Sequence, residues 1–185
     1  MVQSMRKLIY IEENFITSDE CQKLIDLSLA NKNDTFLTNV THSNPKESLS
    51  KGIEWKDHTA VYHGGDVDPT VPPLDYDVVT RVNSICKSFD STANLDYVGV
   101  IRWPVGTFMK PHVDDNNVHN PDVFAAMLYL NNNFSGGYTC FEDFEVKPEP
   151  GKLIIFSNSQ YLHYVSKVEG DERFVLSFWY NSLNK

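Results

Sequence analysis

From residue 95 onward the chain is a succession of short β-branched and aromatic runs, "LDYVGVIRW", "VFAAMLYLN", "GGYTCFE", "GKLIIFS", "LHYVS" and "RFVLSFWYN", separated by Gly, Pro and Asn. Runs of that length bounded by turn formers read as strands, and so many in a row can bury their apolar faces only as a sandwich or a barrel. The preceding half is written differently. "LIYIEENF" reads as a short strand, and "TSDECQKLIDLSLANK" as a helix opened by Thr17 with Glu20 at the capping-box spacing. Between residues 74 and 89, Val78, Val79, Val82, Ile85, Cys86 and Phe89 make one apolar stripe at helical period. Residues 33 to 52 are polar and aperiodic; a loop of that length is either a lid or an ordinary surface connection, and the sequence leaves both open. The expectation is an α+β chain forming one domain over 1–185, with strands, helices and the polar loop in 1–94 and a β core in 95–181.

Charge and cysteine usage narrow the function. With 16 basic against 25 acidic residues the net charge is −9, which argues against a protein that holds nucleic acid chiefly through phosphate contacts. The three cysteines, Cys21, Cys86 and Cys140, form no CxxC pair, so neither a disulfide framework nor a thiolate zinc site is indicated. The start of the chain lacks the apolar run of a signal peptide, and no apolar stretch is long enough for a membrane span. A soluble, cytoplasmic protein without membrane or nucleic-acid partners is expected.

Within the strand-rich half, "KPHVDD" places His112 and Asp114 two positions apart. In an extended segment both side chains point to the same side, with Val113 opposite, so an imidazole nitrogen and a carboxylate oxygen face a common point. Two ligands do not make a metal site, and His-x-Asp arises often by chance. A second histidine, His163, lies in another β-like run that a barrel can bring opposite the pair. Two His and one carboxylate on one face of an octahedron suit a non-haem Fe(II) centre, whereas a zinc site is more usually tetrahedral. Arg173, at the head of the next run, supplies a planar guanidinium suited to a bidentate carboxylate; its alternative is a surface ion pair with Asp171 or Glu172. Asp115 faces away from Asp114 and is read as solvated or as an outer acid orienting the site. His42, His58, His63 and His119 are read as surface histidines.

In order along the chain, these residues resemble the Fe(II)/2-oxoglutarate-dependent dioxygenases, and within them the prolyl 4-hydroxylase-like branch. The resemblance runs from about residue 95 to 181. After His112 and Asp114 come a "YLN" strand (Tyr129, Leu130, Asn131), a "GG-x-T-x-F" run from Gly136 to Phe141, and a "P-x-x-G" turn into an apolar strand from Pro148. His163, Arg173 and Trp179 complete the pattern. The resemblance implies a double-stranded β-helix, a jelly-roll or cupin-like core, with supporting N-terminal helices. It implies Fe(II) held by His112, Asp114 and His163, 2-oxoglutarate and O2 as co-substrates, and ascorbate as an accessory reductant. Arg173 and Tyr129 would hold the distal carboxylate of 2-oxoglutarate, Thr139 would line its pocket, and Trp179 would face the substrate or close the core.

The implied activity is 2-oxoglutarate-dependent hydroxylation of a prolyl residue in a peptide or protein, with release of succinate and CO2. Asp114 argues for hydroxylation, since the related halogenases lack that carboxylate. The chain also departs from the branch: where two tyrosines usually precede the first metal histidine it has Trp103 and Met109, and where an arginine often precedes the "YLN" tyrosine it has Asp122. These departures keep a free amino acid or other small molecule in play as substrate. A non-catalytic jelly-roll binding module and a zinc hydrolase are the alternatives from other classes. Nucleic-acid repair is disfavoured, because those oxygenases carry a second arginine where this chain has Trp179.

Overall fold

The structure, a computed structural model, describes residues 7–30, 58–63, 76–114 and 122–182. The expected loop over 33–52, Asp115, His42 and His119 lie outside the described residues, and of His58 and His63 only the backbone is described. No helix among the described residues is long and apolar enough to cross a membrane.

Among the described residues, two helices precede the β core. α1 (Ser18–Ala30) opens on the capping box read from the sequence: the Thr17 backbone N–H and hydroxyl donate to Glu20 Oε2 at 2.7 and 2.8 Å, and the Glu20 N–H donates back to Thr17 Oγ1 at 3.3 Å. α2 (Tyr76–Phe89) buries Val78, Val82 and Cys86, the centre of its apolar stripe. Phe89, at the end of that stripe, is exposed on one side and packs its ring 5.5 Å from that of Tyr10.

Among the described residues, the strands form two main sheets. The larger has six antiparallel strands in the order β1 (Ile9–Glu12), β9 (Leu153–Phe156), β5 (Asp122–Tyr129), β12 (Arg173–Ser182), β3 (Ala93–Trp103), β2 (His58–His63). The smaller has the order β4 (Met109–His112), β10 (His163–Val165), β7 (Thr139–Phe141), β8 (Glu145–Val146), while β6 (Ser135–Gly136) pairs β11 (Val168–Glu169). This is the expected double-stranded β-helix with helices on its flank. β8 and β11 are too short to have left a periodic signal in the sequence, and β4 carries Pro111 and a lysine within its four residues.

Side-chain alternation divides the core. Along β12, Phe174, Leu176, Phe178 and Tyr180 join the cluster that includes Leu24, Val78 and Val82 of the helices. Val175 and Trp179, the intervening positions, belong to a second cluster between the sheets with Ile101, Trp103, Tyr129, Ile154 and Phe156. A strand buried on both faces has no polar side to alternate with, which is why "FVLSFWY" and "LIIF" are almost continuously apolar. Arg173 shares the parity of Val175, so the same alternation carries a guanidinium into the space between the sheets.

Candidate metal centre

His112 is the last residue of β4 and His163 the first of β10, and the antiparallel register sets them directly opposite one another. Their ring centroids are 4.3 Å apart. Asp114, two residues past His112, returns to the same side of the chain. Its Oδ1 lies 3.4 Å from His112 Nε2 and 3.6 Å from His163 Nε2. One potential ligand atom from each of the three residues lies within 4.8 Å of the others. The three residues singled out by spacing and resemblance are thus brought to one point.

The imidazoles are oriented by backbone. His112 Nδ1 is 2.8 Å from the Lys110 carbonyl oxygen, and His163 Nδ1 is 2.9 Å from that of Tyr161. A carbonyl oxygen can only accept, so Nδ1 carries a proton in each ring, and Nε2 is the nitrogen that faces Asp114. The His163 ring is also backed edge-on by Phe156, with centroids 4.8 Å apart.

Burial raises the Asp114 pKa, but the hydrogen bond from His112, the charge of the two imidazoles and a hydrogen bond from Asn158 outweigh it, so the carboxyl stays below its ordinary value. Burial lowers His112, and the Asp114 carboxylate more than compensates, so that imidazole lies above the ordinary histidine value. The electrostatics are those of a buried carboxylate that attracts positive charge.

Beside this cluster an apolar cavity opens between the sheets, lined by Ile101, Trp103, Met109, Met127 and Trp179 among others, with Thr139 also on its wall. Trp103 and Met109, the departures from the family pattern, thus both face it, and Trp179 is half-buried on its wall. Arg173 packs against Trp103 on this lining and is fully buried. The surface pairing allowed by the sequence is not formed: Glu172 is bound by Arg102 through both guanidinium arms, and Asp171 accepts from Asn133 at 2.6 Å.

The Arg173 guanidinium stacks 4.8 Å from the Trp103 ring centroid and 5.5 Å from that of Tyr129. Its Nη2 makes only a long contact, 3.5 Å, to Thr139 Oγ1, and Nε and Nη1 are buried without hydrogen-bond partners. Burial pulls its pKa down to about 10, against the opposing effect of Tyr129, so it remains a cation at neutral pH. The Tyr129 hydroxyl is fully buried and donates to Thr139 Oγ1 at 2.6 Å, which links the two residues beside Arg173.

Two residues here escaped sequence reasoning. Trp103 was visible only as a departure, with no sign that it would cover the arginine. Asn158, in the turn between β9 and β10, donates from Nδ2 to Asp114 Oδ2 at 2.8 Å; a polar residue in a turn carries no signal of such a partner.

Residues 98–181 match the family model described as the 2OG-Fe(II) oxygenase superfamily. A comparison with curated proteins found no match. Among solved structures, a prolyl-4-hydroxylase from Pseudomonas putida superposes with a TM-score of 0.73 at 17% identity, over 95% of this chain and 93% of that one. A viral collagen prolyl hydroxylase from Paramecium Bursaria Chlorella virus-1, in a 2OG complex, gives 0.68 at 18% identity, over 95% and 96%. A prolyl hydroxylase from Trichoplax adhaerens, bound to a hypoxia inducible factor peptide fragment, gives 0.60 at 18%, over 94% and 83%. At such identities the likeness is one of fold.

Proposed function

Because the chain belongs, through residues 98–181, to the 2OG-Fe(II) oxygenase superfamily and is an Fe(II)- and 2-oxoglutarate-dependent dioxygenase, we propose that His112, Asp114 and His163 hold its iron, that Arg173 anchors 2-oxoglutarate, and that it hydroxylates prolyl residues in a peptide or protein. The donor set suits the metal: two neutral imidazoles and one carboxylate on one side leave the remaining positions of an octahedron for a bidentate co-substrate and O2. The observation that carries the reading is Arg173, a fully buried cation with two unpartnered nitrogens in the same inter-sheet space as the His-Asp-His cluster. A buried, unpaired charge is costly, so its presence calls for an anion, and a planar carboxylate matches the guanidinium fork.

With iron bound, the centre supplies O2 activation coupled to decarboxylation of 2-oxoglutarate to succinate and CO2, and hydroxylation of a C–H bond. The rest belongs to the chain. The Lys110 and Tyr161 carbonyls keep the Nδ1 protons of the two histidines in place, so Nε2 is the nitrogen each ring turns toward Asp114. Trp103 and Tyr129 hold the guanidinium between them. Thr139, which accepts from both Tyr129 and Arg173, has its own hydroxyl proton left to offer a carboxylate at that end. Ile101, Met109, Met127 and Trp179 keep the cavity apolar, so an aliphatic ring or chain is favoured beside the metal and bulk water is not.

The prolyl reading draws on the fold shared with the prolyl hydroxylases and on the half-buried Trp179 facing the cavity. A second reading, a free amino acid or other small molecule, is favoured by Trp103 and Met109, which line the cavity where the branch usually has tyrosines. The test is Fe(II) and 2-oxoglutarate with a proline-rich peptide panel, read by mass spectrometry for an added oxygen atom and by succinate release. A +16 prolyl product made by the wild type and not by His163→Ala is expected. Succinate without any oxidised peptide would move the assignment to the small-molecule reading, and succinate retained in His163→Ala would remove His163 from the metal.

A further inference from the structure

We propose that Asn158 is a positioning residue of the metal centre, which restricts Asp114 to a single ligating oxygen. The inference rests on reading His112, Asp114 and His163 as the metal ligands. Asp114 lies beyond the end of β4, so that strand's ladder does not fix it. Asn158 does so twice: its carbonyl oxygen accepts the Asp114 backbone N–H at 3.2 Å, and its Nδ2 donates to Asp114 Oδ2 at 2.8 Å. Asn158 is itself fully buried, and Asp114 nearly so.

The orientation of the carboxamide follows from the charge it faces. The opposite flip would set the Asn158 carbonyl against a carboxylate oxygen, two acceptors with no proton between them, so the NH2 group must face Oδ2. Asn158 Oδ1 then has no hydrogen-bond partner, and the side chain holds this orientation with its carbonyl oxygen unsatisfied. What the orientation achieves is division of labour within Asp114: Oδ2 is engaged by Asn158, and Oδ1 is the oxygen nearest both Nε2 atoms. A carboxylate with both oxygens free can chelate a cation and take an extra coordination position. Held by one N–H, it ligates through one oxygen and leaves that position for the 2-oxo acid or O2.

The test uses the full chain with Asn158→Leu, close to the same shape without a donor, and Asn158→Ala, which cannot overpack. Mn(II) binding alone is followed by the EPR signal of the free ion, with thermal unfolding of the metal-free proteins in parallel. Loss of a residue that orients a metal ligand weakens metal binding by about 10- to 100-fold. That shift is expected in both variants while each metal-free protein still unfolds cooperatively. At saturating Mn(II), 2-oxoglutarate should also bind more weakly, because the freed Oδ2 competes for its position. Mn(II) affinity within about twofold of wild type in a folded Asn158 variant overturns the proposal, and Asp114→Ala separates the two levels. If Asp114→Ala abolishes Mn(II) binding while the Asn158 variants bind normally, only the role of Asn158 fails. If Asp114→Ala also binds normally, the metal-centre reading itself fails.

Discussion

A single side chain, Arg173, shows how local chemistry and fold constrain each other. Its burial between the sheets follows from strand parity, and the cost of that burial is met only in part by the faces of Trp103 and Tyr129. Hydrogen bonds to charged groups contribute roughly 1.5–3 kcal/mol each, so replacing the guanidinium removes an interaction worth about one to two powers of ten in co-substrate binding. Arg173→Ala should therefore raise the apparent KM for 2-oxoglutarate by about 10- to 100-fold in a succinate assay. Arg173→Lys should recover only part of it, because an ammonium cannot grip a carboxylate bidentately or stack as a plane. An unchanged KM in Arg173→Ala would show that the anion this cation awaits is not the co-substrate.

At the scale of elements, legibility in the sequence tracked the range of the interaction. The capping box at Thr17 and Glu20, the stripe of α2 and the apolar strands β3, β5, β9 and β12 rest on neighbours a few residues apart, and each was readable from pattern. The pairing of His112 with His163 rests on register between strands far apart in the chain, and pattern alone left it as one possibility among several. Asn158 and the stacking of Trp103 on Arg173 were not legible at all, since neither a turn asparagine nor a strand tryptophan announces its partner. The short β6 to β7 segment illustrates how such a long-range demand is written locally. Gly137 has a φ of +63°, and a Cβ there would sit 2.9 Å from Arg173 Cδ and 2.9 Å from Phe134 Cε2. Gly137→Ala should cost about 1–3 kcal/mol in backbone strain and displace the arginine. The expected signature is a raised KM for 2-oxoglutarate with unchanged Mn(II) affinity, because the proposed metal ligands lie outside β6 and β7, at the end of β4, just past it and on β10. A parallel loss of both would mean that the segment supports the whole smaller sheet and not the anchor alone.

For the molecule as a whole, the larger sheet has two functions on its two faces. One face packs on α1 and α2 through Phe174, Leu176, Phe178 and Tyr180; the other turns Arg173, Val175, Ser177 and Trp179 toward the site. Stability and chemistry are then interleaved residue by residue along one strand, β12, yet separated by the thickness of the sheet. Leu176 tests that separation. It is fully buried on the helix face, so Leu176→Ala removes packed methyl groups and leaves a cavity, at about 2–5 kcal/mol. A domain of ordinary stability has only about 5–15 kcal/mol in total, so the urea midpoint should fall markedly. The backbone of β12 is nevertheless held on both sides by antiparallel ladders to β3 and β5 that keep their register from Val175 to Trp179, which fixes where Val175 and Ser177 point whatever fills position 176. At a temperature where the variant remains folded, its KM for 2-oxoglutarate and its Mn(II) affinity should match wild type. A variant that lost co-substrate affinity in proportion to its loss of stability would show that the helix layer sets the geometry of the site through the sheet.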